Sequence, residues 1–450
     1  MTPSTSPPSP QALLTHLYWA GVGAAAPGPA LAAALAARAG EPRRRVHILA
    51  LGKAAYPMAI AAVAALAERD QEPAGGLVVT PEPVTSLHPR LPVVVGNHPE
   101  PGAGSLRAAD LLGEASARIR PDEEAWVLLS GGTTSLIGAP VRGVSLKELT
   151  ELYRLLLGSG LDISAMNRIR KRFIRWGAGR LATALAPVHV KNFTISDVIG
   201  DDLASIGSGP CVPDSSTAAE VRTSLTAAGL WEKVPAAMRD ILLATEGGQA
   251  PETPKPHDPA FSTTETVLLA SNRLVLEAAC RRAADLGMKA VVLDSALAGE
   301  ASLAGQRIAS SLLNYDATNL PGAQGAAHKN TVLVWGGETT VTLEPGAGLG
   351  GRSQELALAA AERLGTGGRG DGGRVGLLAA GTDGRDGPTD AAGGFAEPTT
   401  WAAIQAAGRD PARDLRTHNA YAALEAAGAL FKTGMTGTNV MDVVIGLIQY

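Results

Sequence analysis

Short polar loops rich in glycine follow several segments that are typical of β-strands. These loops span residues 52–54, 130–135, 196–202 with 208–210, 336–340 and 381–387. Glycine lets the backbone approach a ligand closely, and backbone N–H groups in such turns form concavities that bind anions. In a doubly wound fold, ligands bind beyond the carboxyl ends of the strands. The loops together predict a phosphate or nucleotide site, although any one alone could be an ordinary turn. The residues predicted to contact phosphate or substrate are Ser130, Gly131, Gly132, Thr133, Thr134, Ser135, Ser208, Gly209, Gly336, Gly337, Glu338 and Thr339.

Two basic side chains stand at such loops, Lys53 and Arg352. A lysine in the first turn of a helix is poorly placed for the helix dipole, and a bound anion would offset this. Arg352 follows a G-x-G-x-x-G match at residues 346–351, but the preceding Glu344-Pro345 breaks the tight turn that dinucleotide sites need. A guanidinium there suits bidentate capture of a carboxylate or phosphate. Either cation could instead be an ordinary surface residue.

Two groups of aspartates also follow predicted strands. One group is Asp197, Asp201 and Asp202, and the other is Asp383, Asp386 and Asp390. Carboxylates in such positions could hold Mg²⁺ or accept a hydroxyl proton. Aspartate is equally common as a turn former or helix cap, and spacing alone does not separate these roles.

Several function classes are excluded by what the chain lacks. It has no H-E-x-x-H motif, no G-x-S-x-G elbow and no Walker A loop, because Gly52-Lys53 is followed by Ala54. The formal net charge of −4 provides no global field for nucleic acid or an anionic membrane. The basic stretch at residues 166–180 is therefore expected to be a solvated helix face. Its glycines nevertheless indicate that another group, which the sequence does not identify, approaches the backbone closely. Two cysteines are too few for a disulfide framework.

Strand-like and helical segments alternate along almost the whole chain. The predicted strands are residues 46–51, 76–80, 91–95, 125–129, 188–195, 266–270, 290–293, 331–334 and 375–379. The predicted helices include residues 54–69, 105–116, 146–157, 271–286, 297–314 and 353–363. This alternation predicts an α/β fold with parallel sheets covered by helices on both faces.

The length of 450 residues exceeds what one hydrophobic core usually serves, so two domains are expected. We predict a disordered tail at 1–10, an N-terminal domain at 11–250, a linker at 251–262 and a C-terminal domain at 263–450. The proline-rich stretch that marks the linker could instead be a long structured loop. No signal peptide or membrane span is recognisable, which favours a cytoplasmic protein. We expect a monomer or a homodimer.

Eight segments together resemble the class II glycerate kinases, the MOFRL family, whose members carry the older name of hydroxypyruvate reductases. They are LGKAA (51–55), GNHPEP (96–101), LLSGGTTSL (128–136), SDVIGDDLASIGSGPCVPD (196–214), GGETTVTL (336–343), GLGGRSQELAL (348–358), AAGTDGRDGPTDAAGG (379–394) and TGTNVMDV (436–443). The resemblance implies a larger Rossmann-like α/β/α domain, a second mixed α/β domain and an active site in the interdomain cleft. It also implies ATP-dependent phosphorylation of D-glycerate at its 2-hydroxyl, with ATP and Mg²⁺ as the required partners.

The resemblance and the positions of the residues along the chain together predict roles for particular residues. Lys53 and Arg352 look like the principal active-site cations, with Lys53 meeting phosphoryl charge and Arg352 the glycerate carboxylate. Asp197 is the first choice for orienting or deprotonating the hydroxyl. Asp201, Asp383 and Asp386 are the candidate magnesium ligands. Two alternatives stay open: an NAD(P)H-dependent hydroxypyruvate reductase, and a non-catalytic protein that binds a sugar acid or a nucleotide.

Overall fold

The computed structural model describes residues 9–38, 43–316, 330–369 and 373–450. Contacts group the chain into two compact units. The first unit is Pro27–Leu269, and the second is Ala270–Tyr450 together with the described residues up to Ala26. The second unit is therefore discontinuous in sequence, whereas the predicted boundaries put residues 11–250 in one domain.

The first unit is built on a six-stranded sheet with the order β3-β2-β1-β4-β5-β6. Its strands are β1 (Val46–Leu51), β2 (Gly75–Thr80), β3 (Val93–Val95), β4 (Glu124–Leu129), β5 (His189–Ile195) and β6 (Thr264–Ala270). The pairings from β3 through β5 are parallel. All residues of β1 and β4 are buried, as their continuous apolar sequences predict. Strand order reverses between β1 and β4, which is where open α/β sheets bind ligands.

This unit contains helices at the predicted residues 54–69, 105–116 and 146–157, together with further helices that the sequence analysis did not predict. The helices are α2 (Pro27–Ala36), α3 (Ala55–Ala67), α4 (Ala103–Ala117), α5 (Thr133–Leu136), α6 (Leu146–Leu157), α7 (Ile163–Arg172), α8 (Arg180–Leu185), α9 (Ala218–Ala227) and α10 (Ala236–Glu246). Short 3₁₀ turns lie at Ile206–Ser208, Trp231–Lys233 and Pro259–Ser262. In α6, a capping box between Ser145 and Glu148 starts the helix, and Leu149, Leu152 and Leu156 are buried at helical spacing.

The second unit contains a mixed six-stranded sheet with the order β11-β10-β9-β12-β8-β7. The strands are β7 (Lys289–Leu297), β8 (Thr331–Gly337), β9 (Arg374–Gly381), β10 (Gly393–Ala396), β11 (Leu430–Phe431) and β12 (Asp442–Gln449). Among the described residues of this sheet, the β7–β8 pair is parallel and the other four pairs are antiparallel. This sheet differs from the parallel sheets that the alternation of strands and helices predicts, and it agrees with the mixed second domain that the resemblance implies. The helices are α11 (Asn272–Asp285), α12 (Ala301–Asn314), α13 (Arg352–Thr366), α14 (Thr400–Ala406), α15 (Pro411–Arg416) and α16 (Ala420–Ala426).

The N-terminal segment is helical almost from the first described residue. Helix α1 (Pro10–Ala24) begins at the last residue of the predicted tail, and the Ser9 side chain accepts a hydrogen bond from Ala12 N. Residues 1–8 of that tail lie outside the described residues. Helix α1 packs on α11 in the second unit. A Cβ on Gly21 would lie 2.8 Å from Val275 Cγ1, so glycine permits this close packing.

The proline-rich stretch is a structured loop, which was the alternative to a linker. Thr253 is buried and donates to Asp214 Oδ2 at 2.9 Å. Glu252 pairs with Arg172 at 2.6 Å. These contacts fasten the loop to α7 within the first unit.

The basic stretch at 166–180 is not a solvated face. Lys171 and Arg172 are buried, and Lys171 Nζ lies 2.9 Å from Asp214 Oδ1. The glycines there approach the loop after β5, because the Ser208 carbonyl accepts from Ala178 N and the Gly209 carbonyl accepts from Gly179 N, both at 2.8 Å.

No single helix in the described part of the chain is both long enough and apolar enough to cross a membrane. Helices α1 and α2 reach the length and apolar composition of a membrane span only when they are counted as one bent segment.

Candidate functional site

Two loops of the first unit interlock at the carboxyl ends of β1 and β4. Lys53 N donates to the Gly131 carbonyl at 2.8 Å, and Ala54 N donates to Ser130 Oγ at 3.0 Å. Gly52 has a φ of +121°, and a Cβ there would overlap Ser130 and lie 2.9 Å from the Gly131 carbonyl oxygen. Only glycine fits at this point, so the backbone itself sets the position of Lys53.

The Lys53 side chain extends over the glycine-rich loop. A Cβ on Gly132 would lie 3.1 Å from Lys53 Cγ, and Gly132 has a φ of +82°. Lys53 is exposed, and its ammonium group has no ion-pair partner among the residues that the structure describes. An exposed cation beside a glycine turn that ends a parallel strand can bind an anion.

Asp197 lies directly against this loop from the end of β5. A Cβ on Gly131 would overlap the Asp197 carboxylate, so the glycine is required for the close approach. The structure therefore brings Lys53, Asp197 and the loop at 130–132 together, as the sequence predicts for ligands beyond neighbouring strands.

The hydroxyl groups of residues 133–135 differ in their hydrogen-bond partners. Thr134 Oγ1 and Ser208 Oγ lie 2.8 Å apart, and Ser208 has a φ of +68°. Thr133 Oγ1 donates to the Ser130 carbonyl at 2.8 Å, and Ser135 Oγ donates to the Pro99 carbonyl at 2.5 Å. The hydroxyls of Thr133 and Ser135 thus stabilise the loop, and the Thr134–Ser208 pair joins it to the segment after β5.

The two aspartates after Asp197 shape a turn. Asp202 accepts hydrogen bonds from Ala204 N at 3.1 Å and Ser205 Oγ at 2.6 Å, and the first of these forms an Asx turn. Asp201 has a φ of +55° and is half-buried. Its predicted role as a metal ligand stays a prediction.

Arg352 is the first residue of α13, and two acidic side chains surround it. Its Nε lies 2.5 Å from Asp442 Oδ2, its Nη2 lies 3.0 Å from Asp442 Oδ1, and its Nη1 donates to Glu338 Oε1. Burial alone would lower the pKa of Arg352, but the charges of Asp442 and Glu338 raise it above its usual range. A guanidinium has five N–H donors, so these three bonds leave two for a ligand.

Asp386 caps the helix that begins at Arg352. Its two carboxylate oxygens accept from Ser353 N at 3.2 Å and Gln354 N at 2.8 Å. Burial, with the charge of Asp442, raises the pKa of Asp386 to about 7, although the two N–H donors act in the opposite direction. A Cβ on Gly351 would overlap this carboxylate. The geometry gives Asp386 a capping function and leaves its predicted role in metal binding a prediction.

Tyr18 contacts the end of β9, beside the predicted site residue Asp383, and the sequence did not reveal this contact. It is fully buried, and its hydroxyl donates to the Gly381 carbonyl at 2.8 Å. Burial, with the nearby charge of Asp383, raises the pKa of Tyr18. Asp383 Oδ1 accepts from Arg385 N at 3.0 Å, which holds the turn after β9. A lone tyrosine in an N-terminal helix carries no motif, so no sequence signal pointed to this contact.

The glycines at the end of β8 serve close packing. A Cβ on Gly336 would overlap Asn272 Oδ1, and one on Gly337, whose φ is +140°, would overlap the backbone of Leu297. Glu338 N donates to the Leu297 carbonyl at 2.8 Å, and Thr339 is buried. Of this predicted loop, the Glu338 side chain is the part that reaches Arg352.

In the described ranges, no group of three or more histidine, cysteine, aspartate or glutamate side chains is arranged to hold a metal ion. Magnesium usually keeps several waters and binds through one or two carboxylates together with substrate phosphates. The absence of a preformed cluster among these residues is therefore compatible with Mg²⁺ that enters with a nucleotide.

Comparisons with known proteins extend over both units. The MOFRL family matches residues 331–442, and a domain of unknown function, DUF4147, matches residues 13–243. Glycerate 2-kinase of Pyrococcus horikoshii is 36% identical over 408 residues, covering 91% of this chain and 88% of that protein. This chain belongs to the MOFRL family of glycerate 2-kinases.

Two further relatives show the range of names that MOFRL proteins carry. The crystal structure of Thermotoga maritima glycerate kinase superposes with a TM-score of 0.82 at 35% identity, covering 97% of this chain and 98% of that one. An Agrobacterium vitis protein, provisionally named hydroxypyruvate reductase, is 35% identical over 438 residues, covering 97% and 94%. Within this MOFRL protein, the DUF4147 match contains Lys53 and Asp197, and the MOFRL match contains Arg352 and ends at Asp442.

Proposed function

We propose that this protein transfers the γ-phosphoryl group of ATP to the 2-hydroxyl of D-glycerate, giving 2-phosphoglycerate and ADP. The observation that supports this most directly is the exposed Lys53, held by the interlocked glycine loops where the strand order of a parallel sheet reverses. Membership in the family of glycerate 2-kinases favours phosphoryl transfer to glycerate as the reaction at this anion site.

Each residue has a distinct task in this proposal. Lys53 and the backbone N–H groups of Gly131 and Gly132 meet the negative charge on the transferring phosphoryl group, since such catalysis is mostly positioning and electrostatics. Arg352 binds the glycerate carboxylate with the two N–H donors that Asp442 and Glu338 leave available. Asp197, beside Gly131, orients the reacting hydroxyl.

Bound Mg²⁺ would supply positive charge that offsets the negative charge of the ATP phosphates. Asp201 and Asp383 are the carboxylates proposed to reach it. Asp386 is a weaker candidate, because both of its oxygens already accept backbone hydrogen bonds.

The reductase alternative rests on the glycine pattern at residues 346–351. A dinucleotide fingerprint must follow a strand directly, because the tight turn brings the backbone to the pyrophosphate. Residues 341–344 form no strand in the structure. This arrangement favours the kinase over NAD(P)H-dependent reduction of hydroxypyruvate.

The test is a product analysis. Purified protein incubated with ATP, Mg²⁺ and D-glycerate should form 2-phosphoglycerate, which ³¹P NMR distinguishes from the 3-phospho isomer. Oxidation of NADH with hydroxypyruvate and no phosphorylated product would overturn the kinase. Tight binding of glycerate or ATP without turnover would favour the non-catalytic binding protein.

Lys53→Ala should lower kcat by roughly 10²-fold or more, by analogy with the loss of other electrostatic donors at transition states. The matched control is Lys147→Ala, since Lys147 is an exposed lysine on α6 whose partner is Glu151. An unchanged rate for Lys53→Ala would remove this lysine from the reaction.

A further inference from the structure

His98 lies in the GNHPEP segment and has no role in the proposal so far. It reaches the same glycine as Lys53: a Cβ on Gly132 would lie 3.3 Å from His98 Cδ2 and 3.5 Å from His98 Nε2. Lys53 Cγ is 3.1 Å from the same position. The imidazole and the Lys53 side chain therefore both approach the position that a Cβ of Gly132 would occupy, at the loop proposed to hold the phosphoryl group.

The ring of His98 is available to a substrate. It is exposed, and neither ring nitrogen has a hydrogen-bond partner among the residues the structure describes. Other histidines are held differently: His47 Nε2 lies 3.0 Å from Glu123, and His418 Nδ1 lies 2.8 Å from Glu355. A carboxylate partner of that kind stabilises the charged imidazolium, whereas nothing comparable holds His98.

The surroundings of His98 favour the neutral form of its imidazole. Partial burial lowers the pKa of His98, and the positive charge of Lys53 lowers it further. Lys53 faces the ring from the loop after β1, and on the loop of His98 itself Glu100 is paired with Arg154 at 3.2 Å. A neutral imidazole has one nitrogen with a free lone pair, which can accept a proton.

We propose that His98 is the general base of this enzyme and takes the proton of the glycerate 2-hydroxyl. This inference rests on the proposed kinase function. As the hydroxyl oxygen forms its bond to the γ-phosphorus, its proton passes to an imidazole nitrogen, and the bond between the γ-phosphorus and the β–γ bridging oxygen breaks. ADP leaves with that electron pair, and the imidazolium returns its proton to water. Lys53 meets the phosphoryl charge, and Asp197 orients the hydroxyl without accepting its proton.

The experiment compares kcat and KM across pH 5–9 for the wild type, His98→Asn, His98→Gln and Asp197→Asn. A general base typically contributes about 10²–10⁴-fold to the rate. Both His98 variants should therefore lose about 10²-fold or more in kcat, with little change in either KM. The fall of kcat at acidic pH should disappear in them and persist in Asp197→Asn. His257→Asn is the matched control, because His257 is an exposed histidine in the loop at 251–259.

The outcomes separate this inference from the proposed function. A wild type that forms no phosphoglycerate overturns the kinase and this role of His98 together. An active wild type whose His98 variants keep their kcat, or keep the acidic limb, overturns the role of His98 alone. Loss of that limb in Asp197→Asn instead would assign the base to Asp197. Circular dichroism and thermal melting of each variant show whether it is folded, and His98→Gln supplies the measurement if His98→Asn is not.

Discussion

Gly132 is the residue on which both proposed catalytic side chains depend. Its φ of +82° lies in the left-handed region, where a residue with a Cβ costs about 1–2 kcal/mol. In Gly132→Ala, the new methyl group would also press on Lys53 Cγ and the ring of His98. We expect a kcat at least ten-fold lower together with a modest loss in the free energy of unfolding, measured by steady-state kinetics and urea denaturation.

Gly143 provides the matched control for backbone strain. Its φ is +88°, and a Cβ there would have nothing within 4 Å. Gly143→Ala should therefore lose a similar free energy of unfolding and keep its kcat. If the two variants lost activity equally, strain alone would explain Gly132→Ala, and the contact with Lys53 and His98 would be irrelevant.

Asp386 makes the stability of the second unit depend on pH. Its pKa of about 7 in the folded protein lies above the ordinary value of about 3.9 for aspartate. Between these pH values the folded state holds a proton that the unfolded chain has released. The contribution of Asp386 to stability is therefore fully present below about pH 4 and is lost as the pH rises through about 7.

Asp386→Asn removes that titration, because asparagine resembles the protonated side chain and still caps a helix. Melting temperatures of the two proteins at pH 5 and pH 8 provide the measurement. Between these values the wild type should lose stability relative to Asp386→Asn by a few degrees. A constant difference would mean that Asp386 is ionised throughout this range.

At the scale of elements, α7 depends on a buried group of charges. Asp214 is fully buried, and it accepts from Lys171 Nζ at 2.9 Å, Ser216 N at 3.0 Å and Thr253 Oγ1 at 2.9 Å. Burial alone would raise the pKa of Asp214, but Lys171 and the hydrogen bonds from Ser216 lower it. This carboxylate joins α7 to the proline-rich loop.

Asp214→Ala should lower the free energy of unfolding by about 3–5 kcal/mol, because it leaves the buried Lys171 without its charge partner. Glu114→Ala removes the partner of Arg118 on the surface of α4 and should cost less than about 1 kcal/mol. Chemical denaturation measures both. Equal small losses would show that water enters the site and replaces the carboxylate.

The elements that the sequence predicted well are those whose own residues determine them. Strands β1 and β4 are continuous apolar runs covered on both faces, and α6 has a capping box followed by leucines at helical spacing. Strand β12 was missed although its sequence is mostly apolar. Strands β10 and β11 were missed as well. The first begins with two glycines, the second has two residues, and both exist because neighbouring strands pair with them.

The candidate site likewise contains residues that the sequence predicts and contacts that it does not predict. Lys53 and Asp197 were predictable because the ends of adjacent parallel strands must share one edge of a sheet. The partners of Arg352 were not, since Asp442 is 90 residues away in sequence. Tyr18 and Gly381 are 363 residues apart, so their contact depends on the tertiary fold.

At the scale of the whole chain, the first described helix belongs with the last part of the sequence. Helix α1 packs on α11, β9 and β12, and it buries Leu14, Leu17 and Tyr18 completely. The second unit therefore needs a segment that precedes the entire first unit. A domain boundary drawn at one point in the sequence would remove that segment from its core.

Leu17→Ala in the full-length protein tests this dependence. Replacing a buried leucine by alanine costs about 2–5 kcal/mol, because the cavity is only partly filled by its neighbours. Hydrogen–deuterium exchange with mass spectrometry should show faster exchange in α11, β9 and β12, and unchanged exchange in β1 and β4. Leu152→Ala is the counterpart in the first unit, where Leu152 on α6 is equally buried. It should speed exchange around α6 and leave α11 protected. If Leu17→Ala exposed α2 and α3 instead, α1 would belong to the core of the first unit, as the sequence-based boundary at residue 11 assumes.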